Sequence, residues 1–132
     1  MKLLVDTNIF IEVLLNQVNA GVARTFLENR KGNDLFVSDF ALHSIGLLLF
    51  RHKRHHVFRQ FLLDVIGRIG TVMVSLSAPE MDAVVDGAGK FSLDFDDAYQ
   101  YSLAVRHGLR IVSFDADFDR TTEGRLLPAD VL

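Results

Sequence analysis

The sequence predicts an α/β fold with a central parallel sheet and helices on both of its faces. Three observations carry that expectation. Short apolar runs recur at 2–5, 35–37, 72–74 and 110–113, each of a length suited to a buried parallel strand. Between them lie longer segments whose apolar residues repeat at helical spacing, and strands alternating with helices imply parallel pairing through crossovers. Two of the runs also end in acids, Asp6 after the first and Asp115 and Asp117 after the fourth. Open α/β sheets place their working sites outside those C-terminal strand ends.

Taken in order, Leu3-Leu4-Val5 is the first strand, and it leads directly into Asp6-Thr7-Asn8. Ile9, Phe10, Val13 and Leu14 then suit a short amphipathic helix over 6–15, closed by a polar break at 16–19. Val22, Phe26 and Leu27 mark a second helix, with Gly32 as its stop. After the strand at 35–37, Ser38 or Asp39 caps a strongly apolar helix through Leu42, Ile45, Leu48 and Leu49. His52 to His56 separates it from a helix over roughly 57–66. Residues 72–74 are the third strand. Ser77 and Glu80 form a capping-box start for a helix expected to end at Gly87 and Gly89. A helix over 94–107 follows, with Phe95, Ala98, Ser102 and Val105 on one face and Gly108 as its stop. The fourth strand is 110–113, and 125–127 reads as a short edge strand limited by Pro128.

Bulk properties narrow the class. A chain of 132 residues is expected to be one domain spanning 1–132, with a sizeable core. A hydrophobic content of 49% against 23% charged residues argues against disorder. The sequence has no cysteine, which excludes disulfides, zinc-thiolate sites and cysteine nucleophiles and suits a cytoplasmic protein. Asp6 and Glu12 interrupt the apolar N-terminus and no small-residue cleavage site follows, so a signal peptide is not expected. No apolar segment reaches the ~18 residues of a membrane span. The net charge of −3 gives no global attraction to nucleic acid, so such binding requires a local basic patch or a bound metal.

The acids carry the functional expectation. Asp6, Asp115 and Asp117 stand at strand ends, while Asp94, Asp96 and Asp97 open the helix before the fourth strand. If the first and fourth strands are neighbours, all three groups meet at one sheet edge. Crowded carboxylates repel one another and raise each other's pKa, so such a cluster calls for a cation. An all-oxygen ligand set suits Mg²⁺ or Mn²⁺ rather than zinc. A site of this kind activates water and stabilises charge on a phosphodiester. Thr7, Asn8 and Ser113 are placed to hold the carboxylates by hydrogen bonds. The competing structural explanations are helix-start acids favoured by the macrodipole at 94–97 and a turn-forming role for Asp115.

With these residues laid out, the chain resembles a PIN domain. That family includes many metal-dependent ribonucleases, among them the toxins of type II (VapBC) toxin–antitoxin pairs. The resemblance rests on Leu3 to Asn8, Phe36-Val37-Ser38, Asp97-Ala98 with Ala104 and Gly108, Ile111-Val112-Ser113 with Phe114 to Phe118, and Leu127-Pro128. It implies a three-layer α/β/α sandwich, related to the Rossmann architecture. It also implies catalytic acids at Asp6, Asp97, Asp115 and Asp117, with Asp6, Asp97 and Asp115 as metal ligands. RNA as substrate, a homodimer and a cognate antitoxin are implied in the same way. One departure stands out. The family's glutamate, about six residues past the serine matched by Ser38, is replaced here by Ser44. Either Ser44, Asp39 or Asp96 compensates at the site, or the chain is a weakly active or inactive binding module. A DNA-directed nuclease or phosphatase-like enzyme using the same acids is a third alternative, because fold alone does not set substrate.

Three other features invite expectations. The run 51–56 (Arg-His-Lys-Arg-His-His) is either a phosphate-tracking patch or a solvated link between helices. Phe40, Leu47, Leu48, Leu49, Phe50, Phe58, Phe61 and Leu62 exceed what one helix face needs, which suits either core or a protein interface. Tyr99 and Tyr101 either stack on a base or pack in the core.

Overall fold

The structure is a computed structural model that describes residues 1–29 and 32–132. Its centre is a five-stranded, wholly parallel sheet of β1 (Lys2–Val5), β2 (Asp34–Ser38), β3 (Val72–Val74), β4 (Arg110–Val112) and β5 (Arg125–Leu126), in the order β3-β2-β1-β4-β5. The first and fourth strands are thus neighbours, in the register Leu4 opposite Ile111 and Val5 opposite Val112. The short strand before Pro128 is at the sheet edge, as its proline requires.

Strand side chains alternate between the two faces, and that alternation separates two cores. Leu3, Val5, Leu35, Val37 and Val112 pack against α1 (Thr7–Leu14), α2 (Ala20–Glu28), α3 (Asp39–Arg51) and α4 (His55–Leu62). Leu4 and Ile111 face the other way, onto α5 (Asp82–Phe91) and α6 (Phe95–His107). The result is the expected three-layer sandwich. None of the helices among the described residues is long and apolar enough to cross a membrane.

Four local expectations are corrected. The helix at 57–66 begins earlier, at His55, and runs on from Leu62 as a π-helical segment, Leu63–Arg68. The second helix stops at Glu28, ahead of Gly32. The helix after Ser77 starts as a 3₁₀ turn at Pro79–Met81 and passes through Gly87 and Gly89 to Phe91. Each mid-helix glycine costs about 1 kcal/mol relative to alanine. Tertiary packing outweighs this, since Val84 and Gly87 are buried and Gly87 meets Tyr101 of α6. The chain leaves that helix at Ser92, which adopts φ 55°.

The fourth correction concerns α6. Phe95 and Val105 are 58% and 60% exposed, whereas Ala98, Tyr99, Gln100, Ser102, Leu103 and Ala104 are buried. Two polar residues on the buried face conceal its periodicity from any reading based on apolar residues alone. The helix is bounded by Asp94, whose carboxylate accepts from Asp97 N–H at 2.9 Å, and by Gly108 at φ 67°. Tyr99 packs in the core. Its hydroxyl donates to Asp39 Oδ1 at 2.7 Å and accepts from Leu76 N–H at 3.1 Å, which ties α3, α6 and the loop after β3 together. Tyr101 is half-buried with its ring edge-on to Phe91.

Asp94 therefore works as a helix cap. Asp94→Ala is expected to lower stability by about 1 kcal/mol, with Asp94→Ser retaining most of it. Chemical denaturation of the three proteins checks this, and an unaltered midpoint in Asp94→Ala would refute the capping role.

Candidate metal centre

Asp6 stands one residue past β1, and its backbone N–H donates to Val112 O at 3.0 Å, extending the β1–β4 ladder. Its side chain caps α1 and is 7% exposed. A buried carboxylate needs donors on its oxygens, and here each oxygen has two. Oδ1 accepts from Thr7 N–H at 2.8 Å and Gln100 Nε2 at 3.0 Å. Oδ2 accepts from Ser113 Oγ at 2.7 Å and Asn8 Nδ2 at 3.3 Å. Burial pushes the Asp6 carboxyl above the usual range, while the bonds from Ser113, Gln100 and Thr7 hold it down.

Ser113, directly after β4, is the hub that joins Asp6 to the other acids. Its Oγ donates to Asp6 and accepts from Asn8 Nδ2 at 3.0 Å and Asp115 N–H at 2.9 Å. Asn8 Oδ1 in turn accepts from Phe114 N–H at 3.2 Å. The loop after β4 is thereby fixed against the loop after β1. Asp115 caps a 3₁₀ turn at Ala116–Arg120, accepting from Asp117 N–H at 2.9 Å. That turn brings Asp117 beside Asp115, and both face Asp97 in the first turn of α6.

Carboxylate oxygens of Asp97, Asp115 and Asp117 all lie within 4.8 Å of one another. Asp97 is pushed up to about 7, first by burial and then by the charges of Asp115, Asp94, Asp6 and Asp117. Three carboxylates this close can converge on one divalent ion through side-chain adjustment. An all-carboxylate set of this size fits a hard divalent cation. Arg120 partly balances the charge. Its Nη2 donates to Asp117 Oδ1 at 2.8 Å while Nη1 donates to Ser92 O at 2.6 Å.

The sequence-derived candidates divide accordingly. Asp97, Asp115 and Asp117 form the cluster, and Asp6 sits beside it with both oxygens engaged. Thr7, Asn8 and Ser113 do hold the carboxylates. Ser38 directs its Oγ to Ala41 N–H at 2.9 Å and caps α3, away from the acids. Ser44 lines an open cavity of ≈ 330 Å³ shared with Asp6, Thr7, Asp96, Asp97 and Gln100. Asp39 accepts from the Tyr99 hydroxyl and Phe40 N–H on Oδ1 and is not among the residues lining that cavity, whereas Asp96 is. The basic run at 51–56 lies at the far end of α3, about 18 Å along the helix from its site-facing start, which favours the solvated-link reading. Two residues escaped sequence reasoning. Gln100 could have been suspected as a polar residue one turn after Asp97 on a buried helix, whereas nothing in the sequence marks Arg120.

The chain matches the PIN domain family model over residues 3–124. It belongs to that family. Among solved structures, it is similar to VapBC2 from Rickettsia felis bound to a promoter DNA fragment, with TM-score 0.78, 17% identity, and coverage of 96% of this chain and 97% of that one. It is similar to Mycobacterium tuberculosis VapC20, a toxin cleaving the sarcin-ricin loop, with TM-score 0.78, 16% identity, and coverage of 96% and 99%. A toxin–antitoxin complex from Klebsiella pneumoniae aligns with TM-score 0.73 at 18% identity over 95% and 96% of the two chains. Comparison by sequence with curated proteins returns no match. At these identities the solved structures establish a shared fold.

The raised Asp97 pKa gives a signed expectation for the metal-free protein. A folded-state value of about 7 against the ordinary 3.8 means the folded state holds the proton more tightly, so stability falls as pH rises through that window. The melting temperature of the metal-free protein should drop between those limits, and Asp97→Asn should flatten the slope. Identical slopes in the two proteins would contradict the clustered geometry.

Proposed function

We propose that this chain is a divalent-metal-dependent endoribonuclease and the toxin of a toxin–antitoxin pair. In this reading it uses Mg²⁺ or Mn²⁺, cleaves RNA in the cytoplasm and is restrained by a cognate antitoxin. The observation that carries the proposal is the convergence of Asp97, Asp115 and Asp117 beside the buried Asp6, at the C-terminal ends of adjacent strands in a PIN fold. The toxins among the similar structures support it, one of them a sarcin-ricin loop cleaving toxin by its description.

Asp97, Asp115 and Asp117 would hold the ion, with Asp6 positioned to join them. When bound, the ion supplies Lewis-acid stabilisation of the phosphodiester and a source of hydroxide at neutral pH. The chain's own contribution is positional. The Ser113 and Asn8 network keeps Asp6 and Asp115 in one arrangement, so little reorganisation accompanies the reaction. Asp97 releases its proton when a cation arrives, so affinity for the ion rises with pH. A protein partner fits the α3–α4 face, where Leu47 and Phe50 are 46% and 50% exposed around a shallow groove with Leu42 and Phe58. We assign that face to a homodimer or to the antitoxin.

Ser44 supports a second reading. It occupies the site cavity where the family carries a glutamate, and one fewer charged ligand lowers metal affinity. Under that reading the chain is a weak or inactive binding module.

Cleavage of single-stranded RNA with Mg²⁺ and Mn²⁺ tests both. The wild type should cut RNA, and Asp6→Asn and Asp97→Asn should each lose more than ~100-fold in rate, beyond the range that outer hydrogen-bond partners of a metal produce. Wild-type rates in either variant would sink the nuclease assignment. Metal binding and cleavage seen only in Ser44→Glu would instead establish the inactive module.

A further inference from the structure

Gln100 is the least expected residue at the centre. It lies on α6 one turn after Asp97, is 1% exposed, and lines the same cavity as Asp6, Asp97 and Ser44. Its amide orientation is dictated by its neighbour. Oδ1 of an ionised Asp6 accepts hydrogen bonds only, so the Gln100 nitrogen must face it, at 3.0 Å. Oε1 is then turned elsewhere, and it is buried with no hydrogen-bond partner. The Thr7 hydroxyl on the same cavity wall is likewise buried and unpartnered. A buried unpaired amide oxygen costs about 1–3 kcal/mol. The bond to Asp6 accounts for the amide nitrogen, since an apolar residue would strip a donor from that buried carboxylate, but it leaves the unpaired Oε1 without a role.

Resting on the metal-centre reading above, we infer that Gln100 takes the place of the absent glutamate as a neutral oxygen donor beside the four aspartates of the centre. Nε2 anchors Asp6, and Oε1 serves the ion as a neutral ligand. The geometry suits this role. Residues three apart on a helix share a face, so Gln100 stands over Asp97, and its hydrogen bond brings it against Asp6. The chemistry suits it as well. Amide oxygens are ordinary ligands for hard cations, and a neutral one adds no charge to a cluster already strained by four carboxylates. This device leaves Ser44 free of any ligand duty. It also makes the centre one charge poorer than a glutamate-bearing one.

Calorimetric titration with Mn²⁺ at pH 8 tests the assignment on the wild type, Gln100→Leu and Gln100→Glu. Gln100→Leu should bind Mn²⁺ at least ~10-fold more weakly, while its metal-free melting temperature falls only modestly, because the lost hydrogen bond to Asp6 is partly offset by removal of an unpaired buried oxygen. Gln100→Glu, isosteric and charged, should bind more tightly than the wild type. Mn²⁺ affinity unchanged in both variants, or Gln100→Glu binding no more tightly than Gln100→Leu, would leave Gln100 as a hydrogen-bond partner of Asp6 alone and overturn the inference. Should a variant fail to fold, the wild type suffices. Mg²⁺ should shift the Gln100 side-chain amide signals in an ¹⁵N NMR spectrum, and a silent amide in a protein that binds Mg²⁺ overturns the inference. If the wild type binds neither ion, the metal-centre reading falls and takes this assignment with it. If it binds and Gln100 does not respond, only the assignment falls.

Discussion

Asp6 N–H meets Val112 O one residue beyond the paired part of β1, and just past it the two strand ends exchange side-chain bonds through Ser113. The candidate centre is a continuation of this ladder. The register of β1 on β4 puts Val5 beside Val112, and therefore Asp6 beside Ser113. A one-residue slip would turn every strand side chain to the opposite face and separate the pair. Leu3 and Val5 on one face and Leu4 on the other, all fully buried, make that slip prohibitive. The two hydrophobic cores thus hold the acids together, although none of the acids belongs to either core.

Holding them together works against stability. Burial first, and then the neighbouring carboxylates, disfavour Asp97 as an anion and push its pKa up to about 7. Asp6 is more deeply buried yet better supplied, with four donors on its two oxygens. The contrast divides the labour. Asp6 is a prearranged charge whose geometry is fixed before any ligand arrives. Asp97, Asp115 and Asp117 are a crowded group whose repulsion a cation would relieve. Arg120 relieves part of the strain from the exposed side, where an ion pair contributes little to folding but keeps Asp117 oriented.

Much of this was legible in the sequence. Four strands, the acids that follow two of them and the short edge strand ahead of Pro128 are local patterns that the structure bears out, but β3 lies at the other sheet edge with Val72 and Met73 exposed rather than buried. The helix ends were read less well. Glycine marks a helix stop only where the chain has nothing to gain by continuing, and α5 gains burial against α6 by passing through Gly87. The buried face of α6 was legible only in part. Ala98 and Ser102 were placed correctly, but Phe95 and Val105 face solvent, and Gln100 looks solvent-facing until its bond to Asp6 shows otherwise. Ser38 was expected to cap the helix after the second strand, and its hydroxyl does close the first turn of α3.

The sequence by itself determined the class of fold, the family resemblance and the acids available for chemistry, since these depend on short-range periodicity and residue type. The missing glutamate was visible in the same way, as Ser44. Only the tertiary structure decided which acids act as a group. Asp6 and Asp97 are 91 positions apart in the sequence, and the space between their carboxylates is set by how α6 packs across β1 and β4. That packing also carries Gln100 to Asp6 Oδ1, a contact no spacing rule anticipates because it joins two elements at opposite ends of the chain. The opening run Leu3-Leu4-Val5-Asp6 therefore specifies where a charge will sit, and the helix that follows 90 residues later specifies what surrounds it.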